Sequence, residues 1–218
     1  DLLYLDTRIH PDAWYPMDDH AGGTWLLTAP DRFSLNLMNG GHETHQRTPP
    51  YRHSRGIVPL RYAEDGGTEA FMEHFDFAGI EPFTLVIFHH APRKVEAIVW
   101  TGSMVDRMDY PADQPQLWSS STLYDAPARA MRRQWFAEAV ERMGEARDLE
   151  QLLEFHRHGG GHNSDPSKRI LMERVAGPIR VSTEYAEVTS NSWALAPDGM
   201  LRRIQSKSCE AKPVPVTM

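Results

Sequence analysis

Residues 83–100 read FTLVIFHHAPRKVEAIVW, and residues 24–38 read TWLLTAPDRFSLNLM. Each stretch is a pair of short apolar or β-branched runs joined by turn chemistry, which is the signature of a hairpin. In the first, Phe83 to His89 and Val95 to Trp100 flank His90-Ala91-Pro92-Arg93-Lys94. In the second, Thr24 to Thr28 and Phe33 to Met38 flank Ala29-Pro30-Asp31-Arg32. Connections this short and rich in turn formers join antiparallel strands, so the expected sheet is antiparallel.

Further strand signals come late, at Ile179 to Val188, Ser192 to Ala196 and Leu201 to Gln205, with Pro197-Asp198-Gly199 marking the last turn. Helical patterns are interposed between the strand groups. Thr68 is placed to cap a short helix carrying Phe71, Met72 and Phe75. Asp125 is placed to cap a longer one, in which Met131, Trp135, Phe136, Ala139, Val140 and Met143 recur at three-to-four spacing and form one apolar stripe. Asp148 with Gln151 reads as a capping box for a third helix, bearing Leu149, Leu152, Leu153 and His156 and stopped by Gly159 to Gly161. The predicted fold class is therefore α+β, with helices layered on antiparallel sheet. No internal repeat is present. Residues 159–167 are expected to form a flexible loop, and 209–218 a frayed tail.

Composition narrows the function classes. Lys and Arg number 23 against 30 Asp and Glu, a net charge of -7 over 218 residues. The general attraction to phosphate on which nucleic-acid binders rely is missing, so nucleic acid is not an expected partner. An apolar fraction of 40% with 24% charged residues is that of a soluble globule, and no run reaches the roughly 18 to 20 apolar residues of a membrane span. The lone cysteine, Cys209, rules out an internal disulfide and a multi-cysteine zinc site. That fits a reducing compartment, and the expected location is cytoplasmic.

Several residue groups invite a chemical reading. Histidines occur at 42 and 45, at 89 and 90, and at 156, 158 and 162. His42 and His45 fall in a loop, while neighbouring His89 and His90 point to opposite faces of a strand, so neither pair is preset for metal. The group at 156–162 straddles a helix end, where the dipole favours imidazole without any ligand. No metal site is expected. Trp118-Ser119-Ser120-Ser121-Thr122-Leu123-Tyr124 offers four hydroxyls beside two aromatics, but it lacks the Gly-x-Ser-x-Gly elbow of a serine hydrolase. Arg55 suits planar recognition of a carboxylate or phosphate; the alternative is a salt bridge fastening a loop. Asn39, before Gly40, is either a turn residue or a polar donor. Gly22 and Gly23, ahead of Thr24 and Trp25, read as a tight turn into a strand. Cys209 has no nearby cationic helix start to activate it.

In order along the chain, AGGTW at 21–25, LNLMNGGHETHQRTPPYRHSRG at 35–56, LWSSSTLY at 117–124, RQWF at 133–136, FH at 155–156 and RVSTEYAEV at 180–188 resemble the NRDE family, that of the Transport and Golgi organisation protein two. The resemblance implies an N-terminal-nucleophile-hydrolase-like fold, a four-layer αββα sandwich of two antiparallel sheets between helices. It also implies a reactive cysteine just after the initiator Met, followed by an Asn-Arg-Asp-Glu signature. Neither is present here; Asp6-Thr7-Arg8 is a faint echo. Either the first strand and its cysteine lie upstream of Asp1, as the missing Met favours, or the nucleophile is lost. The expected organisation is one NRDE-like domain over residues 1–218 without its extreme N-terminal strand.

Two functions follow from the resemblance. Family members are linked to haem movement and to acyl-coenzyme-A or lipid metabolism, so the first is binding and hand-over of a bulky apolar ligand with an acidic group. On that reading Trp25, Trp118 and Tyr124 pack on the ligand, Asn39, Ser119 and Ser120 line it, and Arg55 meets its acid. Haem is then a candidate ligand, and no other cofactor is indicated. The second is an amidohydrolase or acyltransferase acting on amides or thioesters, with an upstream cysteine as nucleophile, its own α-amino group as base and backbone N–H groups or Asn39 as oxyanion donors.

Overall fold

The computed structural model describes residues 3–5, 13–18, 21–29, 31–144, 149–160, 163, 170, 173–176, 179–182, 193–195 and 201–203. The chain divides into two compact units, residues 1–129 and 130–218. It is a mixed α+β chain built on antiparallel sheet.

The first unit is organised by one sheet whose strands follow each other in sequence order: β1 (Leu3–Leu5), β2 (Trp14–Pro16), β3 (Leu26–Ala29), β4 (Phe33–Asn39), β5 (Phe83–His89), β6 (Lys94–Trp100) and β7 (Val105–Tyr110). All neighbours are antiparallel. The five strands β3 to β7 form its body, and both predicted hairpins are there. β3 and β4 pair Ala29 with Phe33, and β5 and β6 pair His89 with Lys94. The first hairpin differs from expectation at its start, since the strand begins at Leu26 rather than Thr24. Thr24 instead turns its hydroxyl onto the Leu26 carbonyl at 2.8 Å, a local bond that competes with ladder pairing.

Alternation on the strands builds the core. Leu27, Ala29, Phe33, Leu35, Phe83, Leu85, Ile87, Ile98 and Trp100 share one cluster with Val58, Tyr62, Ala63 and Phe71. The last four belong to α1 (Ile57–Asp65) and α2 (Thr68–His74), and α1 packs against β3 and β4. Rings interlock there: Phe33 meets Tyr62 edge-on at 5.3 Å, and Phe71 stacks on Phe75 at 4.6 Å. Val95, Ala97 and Val99 on the opposite face of β6 are buried as well.

Thr68 does not cap α2; Gly67 occupies the N-cap, without a side-chain cap bond. The Thr68 hydroxyl donates instead to the carboxylate of Glu96 and pairs with the Tyr62 hydroxyl at 2.8 Å. Glu96 is 1% exposed on a core-facing position, and a buried carboxylate needs every available donor. Lys94, His89 at 3.1 Å and Arg107 at 2.7 Å supply the others. Burial pushes the Glu96 carboxyl up, but hydrogen bonds from Lys94, Thr68, Arg107 and His89 outweigh it and hold it well below the ordinary range. Burial also pushes the Tyr62 phenol up to about 12.

α3 (Ala126–Met143) and α4 (Leu149–His158) follow. Asp125 caps α3 as expected, its carboxylate accepting the Ala128 N–H at 2.8 Å. In the second unit, Trp135 and Ala139 of the predicted stripe are buried with Phe155 of α4, and Met131, Phe136, Met143 and Ile170 pack around them. α4 ends at His158 where the glycines begin, with Gly159 N–H donating to the Phe155 carbonyl at 2.7 Å. His156, in the last turn of α4, is half-buried, and burial lowers its imidazole pKa. Of the late strands, β8 (Glu173–Ala176) pairs with β9 (Ile179–Ser182), and β10 (Trp193–Leu195) with β11 (Leu201–Arg203). Asp148, His162, most of the loop at 159–167, Cys209 and the tail lie outside the described residues.

Candidate functional site

Antiparallel order gathers alternate strand ends. The ladder runs Asn39 to Phe83 to Trp100 to Val105, so the end of β4, the start of β5, the end of β6 and the start of β7 lie side by side. Trp25 joins them, because its carbonyl accepts the Leu37 N–H at 2.8 Å. Two of the loops at this end, the turn before β3 and the loop after β4, carry stretches singled out in the sequence.

The turn at 21–24 is laid directly on the loop before α1. Gly22 has φ +64, and Gly23 touches Gly56 backbone to backbone: Thr24 N–H donates to the Gly56 carbonyl at 2.8 Å. A Cβ on Gly23 would come within 2.6 Å of the Gly56 carbonyl carbon. The bareness of the two glycines is thus a requirement of packing and of backbone dihedral, one at each position.

The loop after β4 is latched to the hydroxyl run. Ser120 Oγ donates to the Asn39 carbonyl at 2.6 Å, Ser121 Oγ to the Glu43 carbonyl at 3.0 Å, and Thr44 Oγ1 to the Ser121 carbonyl at 2.6 Å. Gly40, at φ +89, leaves room for Ser121, whose Oγ would lie 2.1 Å from a Cβ there. Arg129 adds a bond to the His42 carbonyl at 2.6 Å and an ion pair with Glu43 at 3.1 Å.

A charged cluster sits beside this latch. Glu81, 8% exposed, accepts from His45 Nε2 on Oε1 at 3.2 Å. Its other oxygen, Oε2, is approached by Arg47 Nε and by Arg55 NH2, both at 3.5 Å. Arg55 NH1 also donates to the Pro82 carbonyl at 3.2 Å. Burial lowers the Arg55 pKa; Glu81 pulls against it, and Arg47 adds to it. Three buried nitrogens of the region have no hydrogen-bond partner among the described residues, Trp25 Nε1, His45 Nδ1 and Arg129 Nε.

The expected site residues are therefore brought to one end of the sheet in part. Trp25, Asn39, Arg55 and Ser120 converge through the contacts above. Trp118 stands edge-on to Tyr110 of β7 at 5.2 Å, and Tyr124 N–H donates to the Ser120 carbonyl at 3.2 Å. Ser119 is half-buried, and Asn39 exposes its side chain while its carbonyl is taken by Ser120. Ser120 and Ser121 work as latches rather than beside a base. Arg55 does fasten a loop through Glu81 and Pro82, the simpler of its two readings, while keeping its guanidinium beside the cluster.

His89 and His90 do diverge: His89 meets Glu96, whereas His90 Nε2 lies 3.0 Å from Ser34 Oγ. Arg47 and Glu81 are absent from the sequence reading. Their only sequence signal is an acid directly before a buried strand and a basic residue in a loop, and nothing in the spacing pairs them. In the second unit, a groove of about 490 Å³ between α3 and α4 is lined by Trp135, Arg142, Phe155 and His158 among others; none of the expected site residues is there.

No protein-family model and no curated protein matches the chain.

Proposed function

We propose that this protein binds a bulky apolar ligand with an acidic group, of haem or acyl-coenzyme-A type, and hands it over. The observation that carries the reading is the convergence of residues far apart in sequence, Trp25, Asn39, Arg55 and Ser120, on one end of the sheet. They bring an indole whose buried N–H has no partner among the described residues, Trp25, and a guanidinium held in a loose ion pair, Arg55. An apolar ring surface with a few converging polar groups is the general make-up of a small-molecule site.

These residues lie in the stretches that resemble the NRDE family, and the reading includes that family's four-layer sandwich. In its support, the sheet has a helical layer over one face and buried residues on the other.

Titration of the purified protein with haem and with a long-chain acyl-coenzyme A is the test. Saturable spectral or calorimetric change at micromolar ligand is expected, weakened by Trp25→Ala; absence of saturation with either ligand overturns the proposal.

A further inference from the structure

The cluster around Glu81 is unevenly charged. Two guanidiniums, those of Arg47 and Arg55, face a single oxygen of one carboxylate. One positive charge is left over before His45 is counted, in a chain whose net charge is -7. Neither arginine has another ion-pair partner among the described residues.

The geometry is as telling as the count. Guanidinium–carboxylate pairs that close properly bring nitrogen and oxygen to roughly 2.7–2.9 Å, often through two parallel bonds. Here both approaches to Oε2 are 3.5 Å, so each arginine is held near Glu81 without closing on it. Arg55 is the anchored member, 18% exposed and tied to the Pro82 carbonyl, whereas Arg47 is 72% exposed. His45, 16% exposed in its side chain, adds a buried ring nitrogen, Nδ1, with no partner. A third oxyanion placed between the arginines would neutralise the surplus charge and take up donors that Glu81 leaves idle.

We infer that Arg47 and Arg55, spaced by Glu81 and flanked by His45, form an oxyanion subsite that holds the carboxylate or phosphate of the ligand. The inference rests on the ligand-binding reading above and locates its acidic group. Glu81 acts there as an internal spacer: its carboxylate keeps the two like-charged guanidiniums side by side in the empty site, and the ligand's anion bridges their free N–H groups. Arg47 is the mobile jaw and Arg55 the fixed one.

The test uses the Nε–H resonances of Arg47 and Arg55 in the full chain, titrated with sodium phosphate or sodium acetate at constant ionic strength against sodium chloride. Both signals are expected to shift saturably with at least one of the two anions, and the stronger of them tells phosphate from carboxylate. In Arg47→Gln, whose exposed side chain is dispensable for folding, the Arg55 signal is expected to need about tenfold more anion, the loss typical of one charged hydrogen bond. An Arg55 response equal to that in chloride, or one unchanged by Arg47→Gln, overturns the subsite. It does so even where haem or acyl-coenzyme A still binds, which leaves the broader reading standing. Conversely, an oxyanion response sensitive to Arg47→Gln in a protein that binds neither apolar ligand retains the subsite and removes that reading.

Discussion

Gly23 and Gly56 touch through their backbones, the Gly56 carbonyl accepting the Thr24 N–H at 2.8 Å and leaving no room for a Cβ on Gly23. This contact couples the turn before β3 to the loop carrying Arg55, and so places Trp25 and Arg55 at the same end of the sheet.

Gly23→Ala is expected to destabilise the protein by about 1–3 kcal/mol, because the new methyl meets main chain that cannot rotate away. Gly22→Ala is a useful contrast: its surroundings are open but its φ is +64, which costs about 1 kcal/mol for a residue with a Cβ. Urea unfolding of both variants checks the contact. A Gly23→Ala variant no weaker than Gly22→Ala would contradict it.

Glu96→Gln is expected to cost about 2 kcal/mol near neutral pH, since it removes the charge that Lys94 and Arg107 share and both partners are partly solvated. The pH dependence has a definite sign. The folded carboxyl sits below its unfolded value, so its contribution is complete above the unfolded value of about 4.3 and is lost as pH falls further. The stability gap between the native protein and Glu96→Gln should thus narrow from about pH 5 downward. A gap of constant size from pH 7 to pH 3 would exclude this origin.

Gly160 has φ +70, and a Cβ there would lie 2.4 Å from the Trp135 ring. Gly160→Ala is therefore expected to displace the indole and to cost about 2–3 kcal/mol, from overpacking and left-handed backbone together. The measurement is the difference in emission between Gly160→Ala alone and in a Trp135→Phe background. A red shift that persists without Trp135 would assign the strain elsewhere.

Legibility followed the range of the interaction involved. The strands of both hairpins, the cap at Asp125, the stripe on α3 and the divergence of His89 from His90 rest on neighbours within a few residues, and all can be read along the chain. β7, whose sequence is VDRMDY, was missed because its charges mask alternation; Arg107 and Asp109 are drawn to that face by Lys94 and Glu96 across the ladder. α1 was missed because its N-cap is Gly56, with no side-chain cap bond. Thr68 was misread because a hydroxyl before an apolar run resembles a cap, and only the buried Glu96 claims it.

The sequence by itself determined an antiparallel α+β architecture and which stretches carry unusual polar and aromatic content, since periodicity and turn chemistry are local. Tertiary structure alone decided that Trp25, Asn39, Arg55 and Ser120 share one end of the sheet and that Arg47 and Arg55 both approach Glu81. It also turned Ser120 and Ser121 from potential reactive groups into latches. Such pairings join residues 26 to 81 positions apart, and their energy exists only once the ladder has closed the intervening loops.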